Sequence, residues 1–90
     1  MNIQIDIPQF LQHLTNGVKV ANANGKTVGD CLADLVRQFP QTKELLLDNN
    51  GKLLKYVEIF VNGETTYPEE LAKPVKDGDA IYIFHAIAGG

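Results

Sequence analysis

The sequence predicts an α+β domain in which a mixed β-sheet packs its apolar face on one main helix. Near the amino end, Ile3, Ile5 and Ile7 alternate with polar residues, which is the period of a half-buried strand. The segment that follows residue 27 instead has apolar residues at helical spacing, and the second half of the chain returns to alternation. With 90 residues, of which 44% are hydrophobic, the chain suits one small domain rather than two.

The first half of the chain supplies two predicted strands and the main helix. Residues 10–15 are ambiguous, and Asn16-Gly17 then offers residues that tolerate a positive φ before a second alternating run over residues 18–23. Thr27 is well placed as the N-cap of the helix, with Asp30 three residues later as a short variant of the capping box. The helix itself follows from apolar residues at positions 28, 31, 32, 35, 36 and 39, until a proline ends the pattern.

The second half supplies a hairpin and a last strand. A short helical turn is predicted over residues 43–47. The run 57–61, followed by Asn62-Gly63 and residues 64–67, is the strongest hairpin signal in the chain, and residues 80–85 form the last strand. Two strands, one main helix and then further strands, with small helical turns between them, is the arrangement of the ubiquitin-like β-grasp fold, by analogy at the level of the fold.

The charge and apolar patterns exclude two classes of partner. Eleven acidic residues against eight basic ones give a formal net charge of −3, and the basic residues form no stripe that could track phosphates, so we expect no nucleic acid partner. The longest apolar stretch, 80–88, is interrupted by His85 and is far shorter than the roughly 20 residues of a membrane helix. The amino end lacks the pattern of a signal peptide, and we therefore expect a cytoplasmic protein.

Few residues have a pattern typical of catalysis, and we predict that the chain is not an enzyme and binds no cofactor permanently. It has no Ser, no Gly-rich phosphate loop and no His-Glu-x-x-His helix. His13 and His85 are isolated, so we interpret them as structural and expect no metal site. The single cysteine, Cys31, shares the apolar helix face, which favours core packing. Asp30 and Asp34 lie one turn apart and are interpreted as part of a solvated helix face.

The carboxyl end is the most informative feature of the sequence. Residues 86–90, which finish in Ala88, Gly89 and Gly90, are predicted to form a flexible tail beyond a domain of residues 1–85. Glycine has no Cβ, so such a tail can pass through a channel too narrow for side chains, and five extended residues reach about 16 Å. A frayed terminus is the plainer interpretation. Two glycines at the last two positions would arise by chance in under about 1% of chains, which favours a functional tail.

The chemistry available at this end is that of a terminal carboxylate. An ionised carboxylate with a pKa of about 3.5 is a poor electrophile. A reaction at Gly90 therefore requires activation, typically as an acyl adenylate made by a partner that uses ATP.

The β-grasp order, the turn Asp77-Gly78-Asp79 before the last strand and the ending Ala-Ile-Ala-Gly-Gly together resemble the ThiS/MoaD family of ubiquitin-like sulfur carriers. The resemblance implies that an E1-like adenylating enzyme uses ATP to activate Gly90, that a sulfur source converts the carboxylate to a thiocarboxylate, and that a biosynthetic enzyme accepts the sulfur. Because the chain ends at Gly90, it also implies that no proteolytic processing is needed.

Within the family the match is nearest in appearance to the carrier that supplies sulfur for cysteine biosynthesis. The residues concerned are Gly51-Lys52-Leu53, the run 57–62 and the Ala-Gly-Gly end. The small subunit of molybdopterin synthase and the thiamine carrier stay open as alternatives.

Strand alternation predicts where a partner binds. If Ile59 and Ile83 face the helix, then Phe60, Tyr82 and Phe84 lie on the opposite face of the sheet, where exposed aromatic residues in a group are typical of a docking surface. The alternative is that a loop covers them. We expect the free chain to be a monomer.

Two other functions remain compatible with the sequence. A ubiquitin-like modifier would join Gly90 to lysines of target proteins after the same activation step. A plain interaction subunit would bind its partner normally without Gly89 and Gly90.

Overall fold

A computed structural model describes residues 2–85 of the chain. It contains the strands β1 (Ile3–Asp6), β2 (Val20–Ala23), β3 (Val57–Val61), β4 (Glu64–Thr65) and β5 (Ala80–His85), and the helices α1 (Gln9–Gln12), α2 (Val28–Gln38) and α3 (Lys43–Leu46). Short 3-10 turns cover Pro40–Thr42 and Glu70–Ala72.

The five strands form one mixed sheet in the order β2-β1-β5-β3-β4. β1 runs parallel to β5, with Ile5 opposite Ile81, and the other neighbours are antiparallel. The last strand is therefore the central one, between the first strand and the hairpin. This sheet and its single long helix form the ubiquitin-like β-grasp architecture predicted from the sequence.

The core lies between the sheet and α2, because alternation directs every second strand residue to the helix side. Ile5, Ile59 and Ile81 are at most 2% exposed. The helix contributes its apolar stripe, of which Val28, Cys31, Leu32 and Leu35 are buried. We call this helix side the inner face of the sheet and the opposite side its outer face.

Two carboxylates of α2, Asp30 in its first turn and Asp34 one turn later, hold the loop that enters the helix. The Thr27 Oγ1 accepts a hydrogen bond from the Asp30 backbone N at 3.1 Å, as predicted for an N-cap. The Asp30 carboxylate accepts from the backbone N of Lys26 at 3.2 Å, and Asp34 accepts from that of Asn24 at 2.9 Å. The interpretation of Asp30 and Asp34 as a merely solvated face was therefore incomplete, since both also fix the loop between β2 and α2.

The differences from the predicted boundaries have local causes. The fourth strand was predicted over residues 64–67 but ends at Thr65, because the backbone N and Oγ1 of Thr66 both donate to the Ile59 carbonyl and turn the chain inward. The second strand begins later than predicted because Thr15 holds Val18 in a turn. The Thr15 hydroxyl donates to the Val18 carbonyl at 2.9 Å.

Candidate functional site

The predicted reacting group lies outside the described part of the chain. Gly90, Gly89 and Ala88 belong to residues 86–90, which directly follow β5, and the predicted tail therefore stays a prediction. What the structure does show is the strand that leads to these residues, from its first residue to His85.

The start of β5 is held by a buried carboxylate. Asp79 is 7% exposed and accepts hydrogen bonds from the Lys76 backbone N and from Asn62 Nδ2, both at 2.9 Å. The hydrogen bond from the Lys76 backbone, followed by that from the Asn62 side chain, holds the pKa of Asp79 below its ordinary value. The other end of the Asn62 amide accepts from the Ala80 backbone N at 3.0 Å, so this one side chain joins the β3–β4 turn to β5.

The rest of the Asp-Gly-Asp turn ties β5 to the first strand. The Asp77 carboxylate accepts from the Asn2 backbone N at 2.7 Å, and the Gly78 backbone N donates to the Asn2 carbonyl at 3.0 Å. Gly78 has a φ of 91°, a conformation that favours glycine. These contacts give both carboxylates of the turn, Asp77 and Asp79, structural roles in placing β5.

The predicted partner residues lie together on the outer face. Tyr82 pairs with Phe60 across β5 and β3, and the rings of Phe60 and Phe84 meet edge to face with centroids 5.1 Å apart. Phe84 is 51% exposed and Tyr82 is 37% exposed, so no segment within residues 2–85 covers them. With Glu58 and Gly63 they line an open cavity of about 490 Å³. We call Phe60, Tyr82 and Phe84 the aromatic patch.

The outer face around the aromatic patch is acidic. In the sheet register Asp6 lies beside Tyr82, and Glu58 lies beside Phe84 on the other flank. Neither carboxylate has an ion-pair partner among residues 2–85, and none of the five strands contains a Lys or Arg. The face therefore combines apolar rings with negative charge.

The inner face at the end of β5 has a second group of rings, which the sequence did not predict. The His85 ring stacks on Phe10 with centroids 4.5 Å apart and planes at 30°, and it meets Tyr56 edge to face, also at 4.5 Å. Phe10 lies in α1, and Tyr56 lies in the turn before β3. No spacing in the sequence relates these residues; the available signal was that His85 continues the inward alternation of Ile81 and Ile83.

The remaining polar candidates show no reactive chemistry in the structure. Burial raises the pKa of the Cys31 thiol to about 11, with the charges of Asp30 and Asp34 acting in the same direction. The thiol therefore stays protonated at neutral pH and is a poor nucleophile. His13 is exposed in a turn. Within residues 2–85 no group of three or more His, Cys, Asp or Glu residues could hold a metal ion, and no helix there has the length and apolar character to cross a membrane.

Comparison with known proteins assigns the family. Residues 5–90 match the model of the ThiS family. The chain is 38% identical over 93 aligned residues to "Sulfur carrier protein CysO" of Mycobacterium tuberculosis strain H37Rv, with all of both chains covered. It is 32% identical over 65 residues to "Small archaeal modifier protein 3" of Haloferax volcanii, with 71% of this chain and 70% of the relative covered.

A solved structure agrees with the sequence relatives. The chain superposes with a TM-score of 0.89 and 32% identity on a chain in the crystal structure of the Amycolatopsis orientalis BexX/CysO complex, covering 98% of this chain and 99% of that one. A match over nearly the whole sequence and a match over nearly the whole fold point to the same group of proteins, and the chain therefore belongs to the ThiS family.

Proposed function

We propose that the chain is a sulfur carrier whose Gly90 carboxylate is adenylated by an E1-like enzyme and then converted to a thiocarboxylate. The observation that carries this proposal is the full-length similarity to a protein named as a sulfur carrier, at 38% identity. The fold supports it, because the strand that precedes residues 86–90 is the central strand of a β-grasp sheet, as in the solved structure of the BexX/CysO complex.

The proposed chemistry has two steps. An oxygen of the Gly90 carboxylate attacks the α-phosphorus of ATP, an O–P bond forms, and pyrophosphate leaves. The sulfur of hydrosulfide then attacks the carbonyl carbon. A C–S bond forms, the C–O bond to AMP breaks, AMP leaves with the electron pair, and the remaining proton goes to solvent. Neither step oxidises or reduces the carrier.

This scheme assigns catalysis to the partners. The chain contributes a carboxylate, while the activating enzyme binds and uses the ATP, so the carrier needs no permanently bound cofactor and is not itself an enzyme. The protonated, buried Cys31 thiol supports a route that does not pass through cysteine. We propose that these events take place in the cytoplasm.

We propose that partners dock on the aromatic patch. Its three side chains are grouped, and Tyr82 and Phe84 are exposed while Phe60 is half-buried, which is typical of binding surfaces. The partners are the E1-like enzyme and a sulfur-accepting biosynthetic enzyme, and the name of the BexX/CysO complex indicates that a similar chain assembles with another protein. Two copies of this chain that met through the patch would bring Asp6 and Glu58 of each copy together, and this repulsion favours a monomer.

The test is to find whether a sulfur atom replaces one oxygen of the Gly90 carboxylate. Incubation with a purified E1-like enzyme, ATP and hydrosulfide should replace one terminal oxygen by sulfur, and an alkylating agent should trap the thioacid at Gly90, as located by fragment mass spectrometry. A chain without Gly90 serves as one control, and Cys31→Ala, which should be modified normally, serves as the other. A label found on Cys31 alone would contradict the proposal.

A protein modifier is the second candidate, because one relative is named as a small archaeal modifier protein. This function predicts higher-mass adducts in cell extract that vanish when Gly90 is deleted and that contain an isopeptide bond to a lysine of the target. Full biological activity after removal of Gly89 and Gly90 would instead identify a plain interaction subunit.

We propose cysteine biosynthesis as the receiving pathway, since a relative that is 38% identical over its full length is the carrier CysO. Transfer of ³⁵S from the Gly90 thiocarboxylate to the product of a cysteine-synthase-like enzyme would support this pathway. Transfer to the product of a molybdopterin synthase or a thiazole synthase, with none to cysteine, would reassign it.

A further inference from the structure

The end of β5 sends consecutive side chains to opposite faces of the sheet. Phe84 belongs to the aromatic patch on the outer face, and His85 lies half-buried on the inner face between two rings. Phe84 of the proposed docking surface and His85 with its ring contacts are therefore adjacent in the chain. His85 is also the residue that directly precedes residues 86–90.

The two rings that hold His85 come from well-anchored elements. Phe10 precedes Leu11, which is 0% exposed, and Tyr56 precedes Val57, which is 2% exposed and pairs with His85 across β3 and β5. The hydrogen bonds found within residues 2–85 include none to the imidazole, so its two ring contacts are the interactions that position it. We call Phe10, Tyr56 and His85 the His85 clamp.

We propose that His85 is a positioning residue: the His85 clamp fixes the point at which the reacting carboxyl end leaves the body of the protein. The proposal rests on the proposed function, because it concerns how Gly90 is delivered to the activating enzyme. With His85 fixed, the segment that must place the carboxylate is residues 86–90.

The physical consequence is a higher effective concentration of the carboxylate in the docked complex. Effective concentration falls roughly as the −3/2 power of the length of the connecting segment, and release of His85 alone would lengthen the connection to Gly90 from five residues to six, which is about a 1.3-fold loss. Loss of a fixed orientation at His85 lowers the effective concentration of the Gly90 carboxylate further. We therefore expect a two- to fivefold effect, located in the step after docking.

The clamp and the aromatic patch make separable contributions to kinetics. Docking through the outer face sets how tightly the enzyme holds the carrier and thus KM, when dissociation is fast compared with chemistry. Placement of Gly90 within the docked complex sets kcat. A ring with a merely structural role would change the melting temperature but would not lower kcat selectively in a fully folded chain.

The first test measures the clamp in the free protein. Rigid backbone has ¹⁵N order parameters of about 0.85 and flexible backbone has values under about 0.6. We expect the wild type and His85→Phe, which keeps a ring, to give the high value at residue 85. His85→Val keeps a good strand residue but removes the ring, and Tyr56→Leu removes one contact; both should lower the value. An unchanged order parameter in both variants would overturn the clamp.

The second test measures the carrier as substrate of an E1-like enzyme, with variants confirmed as folded at the assay temperature. We expect His85→Val to lower kcat two- to fivefold with KM within twofold of the wild type, and His85→Phe to restore kcat. His13→Val, at an exposed histidine, is the matched control and should leave both constants unchanged. An unchanged kcat in His85→Val, or a change confined to KM, would overturn the positioning role.

These results separate the two proposals. A wild-type chain that is never adenylated contradicts the sulfur-carrier function and, with it, a role for His85 in that reaction. A wild-type chain that is adenylated normally, together with a His85→Val chain of equal kcat, contradicts the positioning role alone.

Discussion

The two ends of β5 are held by different kinds of interaction. At its start, Asp79 and Asn62 form directional hydrogen bonds to the backbone and to each other, with lengths of 2.9 to 3.0 Å. At its end, His85 is held by ring contacts with Phe10 and Tyr56. Hydrogen bonds fix a register because their strength falls steeply with misalignment, whereas ring contacts tolerate small shifts.

This difference suits the proposed roles of the two ends. The start of β5 sets which residues face the core, and a slip of one residue would move Ile81 and Ile83 to the outer face. The end of β5 places Phe84 in the aromatic patch on the outer face and His85 in the His85 clamp on the inner face. Single substitutions can weaken the hydrogen bonds at the start of β5 or the ring contacts at its end separately.

The largest effect on the free energy of unfolding is expected from removing the side-chain hydrogen bonds at the start of β5. Asn62→Gly removes two hydrogen bonds, to Asp79 and from the Ala80 backbone, and leaves a buried carboxylate with fewer donors. We expect the free energy of unfolding to fall by about 2 kcal/mol, which urea denaturation at neutral pH would measure.

Asn16→Gly is the matched control for this substitution. Asn16 has a φ of 55° and Asn62 has a φ of 52°, so glycine relieves the same backbone conformation in both. No side-chain hydrogen bond of Asn16 is found within residues 2–85, and we expect the control to stay within about 0.5 kcal/mol of the wild type. Equal losses in the two variants would show that the Asn62 amide does not hold β5.

A smaller effect is expected from breaking the end of β5. Aromatic pairs contribute about 0.5–1.5 kcal/mol, and the His85 clamp is partly exposed, so His85→Val should cost about 1 kcal/mol of unfolding free energy. His85→Phe should be close to neutral, and thermal unfolding followed by circular dichroism would compare the three chains. A loss in His85→Val as large as in Asn62→Gly would contradict the distinction between the two ends.

The smallest effect on the free energy of unfolding is expected from lowering the pH. Because the pKa of Asp79 in the folded state lies below its unfolded value of about 3.9, its contribution is complete above that value and is lost as the pH falls through the folded pKa. The wild type should therefore lose stability below about pH 4 more steeply than Asp79→Asn, which cannot titrate.

The cause of the Asp79 shift can be checked directly. NMR titration of the Asp79 carboxyl carbon should give a higher pKa in Asn62→Gly than in the wild type, because one of the hydrogen bonds that lower the pKa is gone. An identical pKa in the two chains would show that the Asn62 side chain does not contribute.

Much of the fold could be predicted because the relevant forces act between near neighbours in the sequence. Alternation located the buried faces of β1, β3 and β5, and the helical spacing with Thr27 as N-cap located α2. The shortened β4 could not be predicted, since it depends on a hydrogen bond from Thr66 to Ile59 across the turn. The contact of Asp34 with the backbone of Asn24, ten residues earlier, could not be predicted either, because it depends on how the loop folds against the helix.

Some features of the candidate site could likewise be predicted from the sequence, and others could not. The roles of Gly89 and Gly90 stay predictions from the sequence, because both lie outside the described residues. The shared face of Phe60, Tyr82 and Phe84 could be predicted from a period of two. The polar link from Asn62 to Asp79 and the ring contacts of His85 with Phe10 and Tyr56 were decided only by the tertiary structure. They join residues 17 to 75 positions apart, and only the packing of β5 between β1 and β3 brings such residues together.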